Sequence, residues 1–164
     1  MLVTIGVIVI LILLLIPAVS SMQARAQRSQ CMANLKTLTV GANLYIQQNG
    51  SWPQMDATIA GGTDEEIAKW WIARLEPYSV PRKSWICPTI QNLLGNPDFT
   101  QPENARIDYF STFFDDKPTS PHEWPRQPWF IERGDVHGSG PLIIFTDGSI
   151  SDLQTTLKTA NSGP

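Results

Sequence analysis

The side chains in this sequence that could react or hold a metal are few: Cys31, Cys87, His122, His137 and a scatter of carboxylates. His137 and Asp147, with nine residues between them, read as a possible metal or acid/base pair, since imidazole is the commonest metal ligand and carboxylates suit hard cations. Two ligands are too few for a site. Asp147 precedes Gly148 and is accounted for by an Asp-Gly turn, and His137, beside Gly138-Ser139-Gly140, is expected to bond backbone across a loop. The cysteines lack the C-x-x-C or Cys/His spacing of a zinc site, and two are too few for a disulfide scaffold. One bridge or two buried thiols remain open. The sequence contains no G-x-S-x-G, H-E-x-x-H, Walker A or dinucleotide fingerprint, so nothing argues for catalysis, a metal or a cofactor. Trp124, Trp129 and Phe130 look exposed and suit carbohydrate or a partner, although a small body ordinarily uses its tryptophans in the core.

The elements that must position these residues divide the chain of 164 residues sharply. From Leu2 to Val19 there is no charge, and apart from Thr4, Gly6 and Pro17 every residue is Ala, Val, Ile or Leu. As helix this run reaches about 27 Å, enough for a single membrane span, with a kink at Pro17 near its end. A cleaved signal peptide and a buried core helix are the rival readings, but the run lacks a basic n-region and is long for a signal. From Ser21 to Gln48 there is no proline, and Ala24, Arg28, Cys31, Leu35, Leu38, Ala42 and Tyr45 recur at spacings of four and three, one face of a helix. Asn49-Gly50 suits a left-handed end to it.

Thr63-Asp64-Glu65-Glu66 is a capping box, and Ile67, Trp70, Trp71 and Leu75 make one stripe of the helix that follows, up to Pro77. Eight prolines between residues 81 and 128 predict loops and short edge strands there, with Ile107–Phe110 and Trp129–Ile131 as strand candidates. Leu142–Thr146 and Ser149–Leu153 flank Asp147-Gly148 and predict a hairpin with a type I′ turn. Residues 51 to 164 carry nine basic and fifteen acidic side chains, which excludes a nucleic-acid binder. The chain thus reads as residues 1–20 spanning a membrane, 21–50 a helical stem, 51–154 an α+β body and 155–164 a flexible tail.

An apolar helix ending Leu13-Leu14-Leu15-Ile16-Pro17-Ala18 and continuing as a polar stem into Gln30-Cys31-Met32-Ala33-Asn34-Leu35-Lys36 resembles the prepilin-type proteins, the type IV pilins and the pseudopilins of type II secretion. His137, nine residues, then Asp147-Gly148 is similar to the H-x9-DG pattern of the pseudopilin-like proteins of planctomycetes and verrucomicrobial relatives, and Trp85-Ile86-Cys87-Pro88 to their second Cys-Pro element. The resemblance implies a pilin-like α+β fold: a long N-terminal helix, its first half in the membrane, its second half packed on a small antiparallel sheet with a second short helix. It implies a structural filament subunit, no enzyme, single-pass in the inner membrane with its body in the periplasm and extracytoplasmic once assembled. The implied partners are other pilin-like subunits through the N-terminal helix, inner-membrane assembly machinery and a prepilin peptidase.

In that compartment Cys31 and Cys87 are expected to bridge, closing a loop worth about 4 kcal/mol in the chain-entropy model. Some relatives bind calcium near the C-terminus, so Asp115, Asp116 and Asp135 leave a calcium site open. The alternatives to a filament subunit are a membrane-anchored periplasmic binding module and, behind it, a metal-dependent enzyme using His137. The charge rule opposes the implied orientation, since Arg25, Arg28 and Lys36 follow the span with nothing basic before it. The family's Gly and Phe-Thr-Leu-x-Glu motif is absent, and Met1 aligns just after its glutamate. Met1 is therefore expected to be an internal start with a basic leader encoded upstream.

Overall fold

The computed structural model describes residues 2–95, 98–99 and 101–161, with side chains described from residue 19 onward. Helix α1 runs Leu2–Asn49 without interruption. Gly50, at φ 77°, ends it by donating its N–H to Ile46 O at 2.8 Å, the left-handed cap that only glycine adopts without strain. Cys31, Leu35, Leu38, Ala42 and Ile46 are buried along one face, whereas none of residues 19–30 is buried. The stem is therefore held by the body from Cys31 onward, and Ala24 and Arg28 of the expected face lie outside that packing. The span expected of residues 1–20, with its kink at Pro17, falls mostly on side chains outside the described residues. Among the described residues no helix is long and apolar enough to cross a membrane.

The body is α+β. Short α2 (Ala57–Ala60) precedes α3 (Asp64–Leu75), whose start is fixed by the Thr63–Glu66 capping box, both reciprocal bonds being present. Ala68, Trp71, Ile72 and Leu75 face inward. A further helix, α4 (Pro88–Leu94), corrects the expectation that the proline-rich stretch excludes regular helix: Pro88 opens it, at the one place in a helix where a missing N–H costs nothing. Strands β1 (Tyr109–Ser111), β2 (Pro128–Glu132), β3 (Leu142–Phe145) and β4 (Ile150–Asp152) form one antiparallel meander in chain order. All four residues of β3 are buried, and Leu142 and Ile144 join the cluster that includes Leu35 and Leu38 of the stem.

The β3–β4 connection is a three-residue loop rather than a two-residue type I′ turn. Gly148 N–H donates to Phe145 O and Phe145 N–H to Ser149 O, and of the turn residues only Gly148 has positive φ, so Asp147 need not adopt the left-handed conformation a type I′ turn would demand. Within the expected tail of residues 155–164, the described part to residue 161 belongs to α5 (Leu153–Asn161), which Asp152 starts by accepting the Thr155 N–H at 2.8 Å; residues 162–164 lie outside the described residues.

The core is aromatic. Trp52 is ringed by Trp71, Trp129, Phe114 and Phe130 at centroid distances of 5.0–6.1 Å. Trp129 and Phe130, read from sequence as exposed, are fully buried, with Trp129 Nε1 donating to Pro121 O; Trp124 is the one of the three left in solvent.

Candidate functional site

Three stretches far apart in sequence, around residues 31, 87 and 132–137, meet under the stem. Cys31 comes from the buried face of α1, Cys87 immediately precedes α4, Glu132 ends β2, and His137 lies in the β2–β3 loop. Their ligand atoms all lie within 4.8 Å of one another, and among the described residues this is the one grouping of three or more metal-capable side chains.

The two sulfurs are 2.8 Å apart and both residues are fully buried. Unbonded sulfurs ordinarily stand farther apart than this, and a disulfide brings them to about 2.0 Å. The pair is free thiols here, placed so that loss of two electrons and two protons to an oxidant would give a bridge, and release of two protons to solvent with sulfur lone pairs donated to a cation would give a metal dithiolate. The hydrogen bond with Cys87, then burial, pushes the Cys31 thiol far above its ordinary value, while the Tyr109 hydroxyl beside it pulls the other way.

Glu132 and His137 complete the cluster. His137 Nε2 stands 3.2 Å from Glu132 Oε1, with 4% and 0% of the two side chains exposed. This corrects the expectation that His137 bonds backbone: its partner is a carboxylate five residues back. The other Glu132 oxygen receives only the Leu142 N–H, at 3.4 Å. A carboxylate with no solvent and two long contacts is poorly compensated for its burial.

The frame around the cluster is hydrogen-bonded. Asn34, one turn after Cys31, donates through Nδ2 to Ile86 O at 2.9 Å and to Tyr109 Oη at 3.3 Å. Asp108 accepts the Cys87 N–H at 2.8 Å and is gripped by Arg106 through Nε and Nη2, each at 2.8 Å. Burial pushes the Asp108 carboxyl up from its ordinary value, and Arg106 and the Cys87 N–H hold it back. On its outer side His137 meets a pocket of about 220 Å³ between stem residues 24–28 and Thr89.

The other sequence candidates lie elsewhere. Asp147 is exposed in its turn, where the Ser149 side chain and then the Ser149 N–H, donated at 2.8 Å, hold its carboxyl below the usual range. Asp115 is engaged by Ser120 Oγ and the Lys117 N–H, and Asp135 caps the Gly138 N–H. His122 stacks edge-on against Trp129. Glu132 was not among the sequence candidates, although a signal for it exists: in Trp129-Phe130-Ile131-Glu132 the two-residue period places Glu132 on the same inward side as Phe130. Nothing in the sequence indicates that Cys31 and Cys87 share a point with that strand.

A separate apolar pocket of about 660 Å³ opens between α3 and β1, with Ile67, Trp71, Phe110 and Phe113 on its walls and the Arg133–Asp64 ion pair at its rim. The chain matches no protein-family model, no curated protein and no solved structure.

Proposed function

We propose that this chain is a structural subunit of a type II secretion pseudopilus or type IV pilus-like filament, assembling through its apolar N-terminal helix. The observation that carries the reading is α1: one unbroken helix whose buried face begins at Cys31, continuous at its other end with the uncharged run of residues 2–19. A helix so apolar is stable in lipid, and it can leave lipid only where other apolar helices cover it. Like helices from other copies supply that cover in a filament. The small antiparallel sheet packed on the second half of the helix suits the same design, as do the residue patterns 30–36, 85–88 and 137–148. On this reading the subunit waits in the inner membrane with its body in the periplasm, and the site residues hold the body to the stem instead of performing a reaction.

The test is a Val7→Cys, Leu14→Cys chain in a Cys31→Ser, Cys87→Ser background, with two thiols per subunit so that cross-linking can pass beyond the dimer, expressed in its own host and oxidised in intact membranes and sheared surface fractions. Cross-linked ladders beyond the dimer are expected, and Ile10→Asp should abolish them. Monomer alone in both fractions would remove the filament reading.

The 660 Å³ pocket favours a second reading, an anchored binding module, because its size and apolar walls fall within the range of small-molecule sites. Phe113→Asp would abolish saturable ligand binding on that reading and leave cross-linking untouched.

A further inference from the structure

We propose that Cys31, Cys87, Glu132 and His137 form a closed four-ligand site for a thiophilic divalent cation of the zinc class whenever the two thiols are reduced. The inference is independent of the filament reading. Two sulfurs, one imidazole nitrogen and one carboxylate oxygen are ligand types that Zn²⁺ takes in tetrahedral sites, whereas Ca²⁺ demands six to eight oxygens. Tetrahedral bonds of about 2.0–2.3 Å would place neighbouring ligand atoms about 3.3–3.8 Å apart. The separations here run from 2.8 Å between the sulfurs to at most 4.8 Å, so the cation requires the sulfurs to part by about an ångström and the widest pair to close by as much.

Three further observations favour a cation. Glu132 is a carboxylate with no exposed surface and only two long contacts, and a bound cation would compensate its charge. The ligands sit on a helix, a helix start, a strand end and a loop that already meet without an ion, with the Asn34–Tyr109 and Arg106–Asp108 contacts tying these segments together beside them. His137 also lines a pocket between the stem and Thr89, so one ligand of the four borders a surface opening. On binding, the two thiols each release a proton and the cation accepts two sulfur lone pairs; no electron is transferred.

The probe is Co²⁺, whose visible bands report tetrahedral geometry and whose near-ultraviolet thiolate charge-transfer band reports sulfur ligation. The full chain, in detergent and reduced by a phosphine, is titrated with Co²⁺ and then with Zn²⁺. One equivalent of Co²⁺ with both signatures, displaced by Zn²⁺, is expected. Treatment with diamide, which takes two electrons and two protons from the thiols to become a hydrazine while the sulfurs join, should abolish binding. Glu132→Gln and His137→Ala should each weaken Co²⁺ binding by at least about tenfold. The wild-type titration decides alone should either variant fail to fold. Absence of the thiolate band in the reduced chain, or Co²⁺ uptake unchanged after diamide, overturns the site; a bridge that forms without metal ever binding is the first of these results.

Discussion

Burying a carboxylate is tolerable only with a partner, and for Glu132 that partner in the metal-free chain is His137, at 3.2 Å with both side chains out of solvent. Removing one member of such a pair leaves the other's buried polar atoms without a hydrogen-bond partner, at a cost of about 1–3 kcal/mol, whereas replacing both with apolar groups of similar volume is often neutral. His137→Ala is therefore expected to lower unfolding free energy by about 2 kcal/mol in denaturant titrations of the chelator-treated chain. The double change His137→Leu, Glu132→Leu should recover most of it, and equal losses in single and double variants would contradict the pairing. The residue scale is also where the sequence was least legible. His137 and Asp147 are conspicuous as types, yet the fold sends Asp147 to an exposed turn and gives His137 a glutamate that reads locally as an ordinary strand terminus. Chemistry assembled from residues more than a hundred positions apart, as Cys31 and Glu132 are, leaves no local spacing to read.

Local elements announce themselves better, because their signals act within a few residues. The Thr63–Glu66 box starts α3 where its residues say it should, and Gly50 stops α1 one residue past its last turn. The misreadings share a cause: a general rule about proline, Asp-Gly or polar tails gave way to one capping bond or one positive φ. Asp152 supplies such a bond to α5, and acceptance of the Thr155 N–H, then the Arg28 charge, holds its carboxyl below the ordinary value. A lowered value means that ionised Asp152 favours the folded helix above the unfolded carboxyl's pKa of about 3.9, and that this support is lost as pH falls through the lowered value. Hydrogen exchange of the α5 amides is expected to accelerate across that acid window while the amides of β3 keep their protection. Asp152→Ala should give the fast rates already at neutral pH; unchanged α5 rates in that variant would deny Asp152 its capping role.

Packing of stem on body shows the same tension between propensity and tertiary fit. Gly41 sits in the middle of α1, where alanine would be favoured by about 1 kcal/mol on propensity. A Cβ built there would lie 2.1 Å from Val80 Cγ2. The close approach overrides propensity, so Gly41→Ala is expected to lower the melting temperature despite the better helix former. Gly41→Ala combined with Val80→Ala should melt higher than Gly41→Ala alone. If Gly41→Ala by itself stabilises the chain, the stem does not lie against Val80 as closely as described.

At the scale of the whole molecule, one helix belongs to two environments. Cys31, Leu35, Leu38 and Ala42 are covered by the body, while none of residues 19–30 is buried and their contacts include Arg28 Nη2 to Asp152 at 3.6 Å and Thr89 Oγ1 to Gln27 at 3.2 Å. The body's stability should therefore not depend on anything before those contacts. A chain beginning at Ala24 retains both of them and every buried residue of the stem, and is expected to melt within a few degrees of the full chain and to sediment as a monomer without detergent. The full chain should require detergent and self-associate when it is withdrawn, because an uncharged run of eighteen residues has no stable place in water. Sedimentation with circular dichroism separates the possibilities. A truncated chain that unfolds would mean that the first half of the helix is part of the core, and a full chain that stays monomeric in water would mean that its apolar run is covered from within, leaving nothing for a neighbouring subunit to bind.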